Sequence, residues 1–332
     1  MIYKWAVRVL FLVASLSIYS GALSAAEQNR VEQKTDVKLQ VVTTFSILAD
    51  LVSQVGGEYI DVHTLVDWDE DAHVYHPTPS DVRYLAKADL LVMNGLGFEG
   101  WLERLITSSK FDGQLVTATT GIDAIKLGGK SESNHDEHGA EHDHTEHDAH
   151  NSLEQQGLDP HAWHSLVAVK SYIQNILNAL IKLDVIHQQY YQTNASQYLA
   201  KLNELATEAS DNLAKLSEVQ RNIVMPHNAF AYLARDYDLH VYSLKGINSE
   251  AEASAAQIAQ VIRKIKAENI HAVFSETTAD DRLIKLVQQE TDARMGGALI
   301  SGALSKKLAP TYLEMMRYNI ARITQALSEQ EE

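Results

Sequence analysis

Two doubly wound α/β domains joined by a long rigid helix, with a ligand cleft between the domains, are the fold class this chain predicts. Three observations carry the prediction. From Leu39 to Thr120, β-rich apolar runs alternate with helical patterns, and the alternation resumes at Arg221 and lasts to Leu327. Between these regions, Ser165 to Val219 contains neither glycine nor proline and keeps apolar residues at a helical period. Strand and helix taking turns imply a parallel sheet covered on both faces.

The elements follow in order. After a polar lead-in to about Val37, "LQVVTTF" reads as a strand and "SILADLVSQVGG" as a helix closed by Gly56 and Gly57. "DVHTLVD" is a second strand, "PSDVRYLAKA" a short helix opened by proline, and "DLLVMNG" a third strand. "FEGWLERLI" has helical spacing and "QLVTATT" completes the first unit, which spans residues 37–164. From Gly128 to Gln156 the composition is His, Asp, Glu, Ser, Gly and Asn with no apolar period, so this part of the unit reads as a mobile loop.

Residues 165–219 read as two helices with a break near Asp184. Ile173, Ile176, Leu177 and Leu180 form one apolar stripe, and Tyr198, Leu199, Leu202 and Leu205 the other. The second helix is long enough to join two domains as a strut. The second α/β unit, 220–330, runs through strands "NIVMP", "HVYSL", "HAVFSE" and "GGALIS". Its helices are "AFAYLARDY", "SAAQIAQVIRKIKAEN", "DRLIKLVQQETD" and "TYLEMMRYNIARITQAL".

Composition bounds the partners and the compartment. Lys4 and Arg8 precede an apolar run that ends in small residues, which predicts a cleaved secretory signal over residues 1–26. There is no cysteine, so disulfides and thiolate metal sites are excluded, and the sequence predicts a periplasmic chain that is not a lipoprotein. A formal charge of -16 disfavours nucleic acid and anionic lipid and favours cations.

Ligands of open α/β sheets sit outside the carboxyl ends of the strands. Four metal-capable side chains fall there: His73 in "DEDAHVYHPTPSD", His161 in "GLDPHAWHS", His227 in "VMPHNAFAYL" and Glu276 in "HAVFSETT". Three imidazoles from three loops suit Zn2+, whereas manganese and magnesium prefer oxygen-rich cages. Phe98, Trp101, Phe230, Tyr232 and Tyr237 read as core.

The segments "DAHVYHPTPSDV", "NGLGFEGWLERLI", "LDPHAW", "PHNAFAYLARDYDL" and "TYLEMMRYNI" resemble the metal-binding subgroup of ABC-transporter solute-binding proteins, the zinc and manganese receptors. The resemblance implies two α/β domains bridged by a rigid helix and a buried metal in the cleft. It also implies a membrane permease with its ATPase as partners, and it carries the metal-ligand role onto His73, His161 and His227. A carboxylate is usual at the third position of manganese-preferring relatives, so His227 favours zinc. The family's fourth ligand is an aspartate where this chain has Gly302, in "SGALS". Water is the first replacement and Glu276 the second, with His76 and His164 also in reach, while Asp159 or Glu70 could orient the ligand rings.

The expected role is therefore a receptor that captures zinc and delivers it to an ABC importer, with no catalysis. Manganese or another divalent metal, an adhesin, and a three-histidine zinc hydrolase are the alternatives; the last lacks an "HExxH" motif. A zinc chaperone is a further possible partner. The run "HDEHGAEHDHTEHDAH" holds His135, His138, His142, His144, His147 and His150 and ends eleven residues before His161. A chain without a core loses ordering entropy whenever it wraps an ion, so this run is expected to be a weaker, exchangeable collector rather than the main site.

Overall fold

The computed structural model describes residues 38–127, 157–247, 253–278 and 280–328. The signal segment and the histidine run from His135 to His150 lie outside the described residues.

Two four-stranded sheets are built on one plan. In the first, β1 (Leu39–Phe45), β2 (Ile60–Val66), β3 (Leu90–Met93) and β4 (Gln114–Thr117) lie in the order β2-β1-β3-β4. In the second, β5 (Asn222–Met225), β6 (His240–Ser243), β7 (Ala272–Glu276) and β8 (Arg294–Leu299) lie in the order β6-β5-β7-β8. The pairs β1 with β3, β3 with β4, β5 with β6, β5 with β7 and β7 with β8 are parallel. Each sheet reverses its winding beside its inner strand, between β1 and β3 and between β5 and β7. A crevice opens at such a point, at the carboxyl ends of the strands.

The helices cover these sheets for reasons visible in their sequences. Helix α1 (Ser46–Gly56) follows β1 and buries Ile47, Leu48, Leu51, Val52 and Val55. Helix α2 (Pro79–Leu85) starts with Pro79, behind an N-terminal capping box between Thr78 and Asp81. Helix α3 (Leu102–Ser109) lies between β3 and β4, and α4 (Ala168–Leu183) packs on α1 and β4. In the second unit, α6 (Ala231–Tyr237), α7 (Ala255–Glu268), α8 (Arg282–Gln289) and α9 (Tyr312–Ser328) alternate with the strands. Ser254 and Gln257 cap α7 reciprocally.

Helix α5 (Gln188–Leu213) is the predicted strut, and Asp184 ends α4 where the break was expected. Tyr191, Ala195, Tyr198, Leu202, Leu205, Ala209 and Leu213 form its buried stripe. It packs against α1 and α4 of the first unit and α9 of the second. This helix of 26 residues is buried along one face and contacts both units.

Among the described residues, no helix is long and apolar enough to cross a membrane.

Candidate metal centre

Three loops bring their histidines together between the two sheets. His73 comes from a short 3-10 turn, Ala72–Val74, after β2, and Asp71 Oδ1 accepts its backbone N–H at 2.9 Å. His161 precedes a second 3-10 turn, Ala162–His164. Asn94, just beyond β3, donates to the Pro160 carbonyl at 2.9 Å and so holds this loop over the crevice of the first sheet. His227 follows β5 in the equivalent crevice of the second sheet.

One ring nitrogen from each of His73, His161 and His227 lies within 4.8 Å of the others. The His73 and His161 Nε2 atoms are 3.2 Å apart. Two nitrogens on one tetrahedral zinc are about 3.3 Å apart, given bonds of roughly 2.0–2.1 Å, so this pair already has ligand spacing. Phe98 meets the His73 ring edge-on with centroids 4.8 Å apart. It was expected to be plain core; it is buried, and it also forms an apolar wall of the site.

Two carboxylates orient two of the rings in the same way. Asp159 Oδ1 accepts both the backbone N–H and the Nδ1–H of His161, at 2.9 and 2.8 Å. Glu276 Oε1 accepts both the backbone N–H and the Nδ1–H of His227, at 3.3 and 2.7 Å. With Nδ1 donating, each ring directs the Nε2 lone pair inward, the arrangement by which a carboxylate raises a metal-binding histidine's basicity.

Burial sets the protonation. It pushes His73 down to about 4, and it drives His161 well below the ordinary imidazole value, helped by neighbouring His227 and His73. Asp159 is pushed up to about 6, again by burial. Its second oxygen, Oδ2, is buried without a hydrogen-bond partner. An orphaned buried acceptor costs about 1–3 kcal/mol. A cation bound to the neighbouring imidazoles would offset that cost, because it favours the ionised carboxylate.

None of the other candidate ligands picked out by sequence joins the three-nitrogen cluster among the described residues. Glu276 Oε2 accepts from Ser301 Oγ at 2.6 Å, so both its oxygens are engaged in hydrogen bonds. His164 is fully buried, but its Nε2 donates to the Ser301 carbonyl at 2.9 Å. His76 is exposed. Glu70 accepts from the Asp67 backbone at 3.2 Å rather than from a ligand ring. Gly302 is buried, yet a Cβ at that position would meet nothing within 4 Å. Ser301 escaped sequence reasoning, because a serine beside a strand end has no distinguishing pattern.

Residues 41–326 match the family described as zinc-uptake complex component A periplasmic. A manganese-binding lipoprotein, MntA, of Halalkalibacterium halodurans is 30% identical over 321 residues, 96% of this chain and 98% of that protein. The manganese ABC transporter substrate-binding lipoprotein PsaA of Streptococcus anginosus is 29% identical, over 96% of this chain and 97% of its own. The Mn-bound periplasmic metal binding protein of Candidatus Liberibacter asiaticus superposes with a TM-score of 0.75 at 29% identity, covering 87% of this chain and 100% of that one. Both named relatives are lipoproteins, which overturns the expectation, drawn from the missing cysteine, of a chain that is not a lipoprotein. A match over this length, with two parallel-sheet domains, identifies the chain as a member of the family of zinc-uptake complex component A periplasmic proteins.

Proposed function

We propose that this protein is the substrate-binding receptor of an ABC importer for divalent metal, with Zn2+ as its cargo and His73, His161 and His227 as ligands. The observation that carries the reading is the donor set: three imidazoles within 4.8 Å, each from a separate loop, with the Asp159 and Glu276 carboxylates turned to orienting rings. A nitrogen-rich site of this kind suits zinc better than manganese.

Capture needs little reorganisation at His73 and His161, because burial holds both below the ordinary imidazole value and they present lone pairs without first losing protons. The strut helix limits the opening between the domains, so release to the permease proceeds by a small displacement rather than a wide swing. With Glu276 engaged and Gly302 offering no side chain, water completes the coordination. Among the described residues, Glu276 has both oxygens engaged and Asp159 is bonded to the His161 ring, so neither is set to activate such a water, which favours binding over hydrolysis.

Manganese is the second reading, favoured by the names of the relatives and by the Mn-bound neighbour. A competition titration of the metal-free protein decides between them. Zinc displacing a thousandfold excess of manganese supports the first reading, and manganese held against equimolar zinc refutes it.

A further inference from the structure

Ser301 touches both halves of the site. Its carbonyl accepts from Trp163 Nε1 at 2.8 Å and from His164 Nε2 at 2.9 Å, two donors on the loop that carries His161. Its hydroxyl donates to Glu276 Oε2 at 2.6 Å, and Glu276 Oε1 holds His227 Nδ1 at 2.7 Å. Every member of this chain of bonds is buried.

His164 supplies a second clue. A carbonyl only accepts, so His164 carries its proton on Nε2, and Nδ1 is left as a bare acceptor, buried without a partner. A buried orphan of this kind calls for an explanation. An apolar side chain would fill the space and stack on Phe230, whose ring centroid is 4.1 Å away, with no orphan. What it could not do is donate to Ser301.

We propose that His164 and Ser301 form a relay that couples the posture of His227 to the approach of the amino-terminal domain. While the domains are together, Trp163 and His164 fix the Ser301 peptide, its hydroxyl fixes Glu276, and Glu276 fixes the imidazole. A displacement that breaks the two bonds to the carbonyl frees Ser301 and then Glu276, so His227 loosens and the ion leaves. The metal-release part rests on the receptor reading above; the orientation of His227 does not. Both are positioning residues, since neither belongs to the three-nitrogen cluster.

The test uses the full chain and zinc alone. Two readouts are taken on wild type, Ser301→Ala, Ser301→Thr and His164→Phe: chelator-driven zinc release, and the histidine ring 15N signals of the metal-free protein. Both Ser301→Ala and His164→Phe are expected to release zinc about tenfold faster, the lower end for lost orienting partners, and to shift the His227 ring signal. Ser301→Thr, which keeps the hydroxyl, is expected to restore both. An unmoved His227 signal in His164→Phe overturns the relay, as does an unchanged release rate in both variants. Should His164→Phe fail to fold, Trp163→Phe removes the other donor to the same carbonyl and carries the same expectation. A wild type that takes up no zinc sinks the receptor reading, and the relay is then judged on the metal-free ring signals.

Discussion

Asp159 and Glu276 hold their histidines by the same pair of bonds, to the backbone N–H and to Nδ1, yet they differ in reach and in what their second oxygen does. Asp159 acts two residues along one loop, and its Oδ2 is orphaned. Glu276 acts over 49 residues, across the crevice between β5 and β7, and its Oε2 is closed by Ser301. The amino-terminal half thus orients its imidazole locally, at the cost of a strained electrostatic position. The carboxy-terminal half orients its imidazole through a network that reaches back to the other domain.

That contrast predicts unequal losses. Glu276→Ala is expected to weaken zinc binding about 100-fold, since it frees His227 and leaves the Ser301 hydroxyl without its acceptor. Calorimetric competition with a chelator checks this, and a loss smaller than that of Asp159→Ala would reverse the comparison. Asp159→Asn is expected to cost about tenfold in affinity while raising the melting temperature of the metal-free protein at pH 8. The reason is that burial holds Asp159 near 6, so the folded state bears an unfavourable charge at higher pH. A lowered metal-free melting temperature would show that the His161 bond outweighs that penalty.

The pH profile separates the groups further. His73 falls to about 4 and His164 to about 3 through burial. A folded value below the unfolded one gives stability that is present above about 6.5 and lost as pH falls toward those folded values. Asp159 has the opposite sign: raised to about 6, it stabilises below its unfolded value and loses that contribution as pH rises through 6. Zinc affinity is therefore expected to stay flat from pH 8 to about 6.5, and to weaken below about 6 as Asp159 protonates. A steep multi-proton decline centred near 6.5 would mean that His73 and His161 are not held down by burial. The smallest effect belongs to Gly302→Asp, where open space admits a side chain; a fewfold gain in zinc affinity is expected, and a loss in the same titration would mean that space does not serve the site.

How much of this was legible follows the same local and distant divide. Strand and helix periods are local, so the alternation, the strut and the break at Asp184 could be read directly. Asp159 beside His161 could be read too, because two residues along a "DPH" turn bring a carboxylate back to the ring. Glu276 stood out as metal-capable, but its partner could not be read, since pairing across β5 and β7 depends on strand order. Ser301 was invisible because half of its role is played by a backbone carbonyl. Phe98 was correctly read as buried, and its contact with His73 depends on where two separate loops meet.

The central claim is that one tight ion is held by His73, His161 and His227 and not by the histidine run. Native mass spectrometry with zinc tests it on the wild type, on a deletion of residues 131–151 and on His161→Ala. One tightly held ion is predicted in the first two and none in the third. A tight ion that survives His161→Ala, or one that disappears with the deletion, would contradict the account.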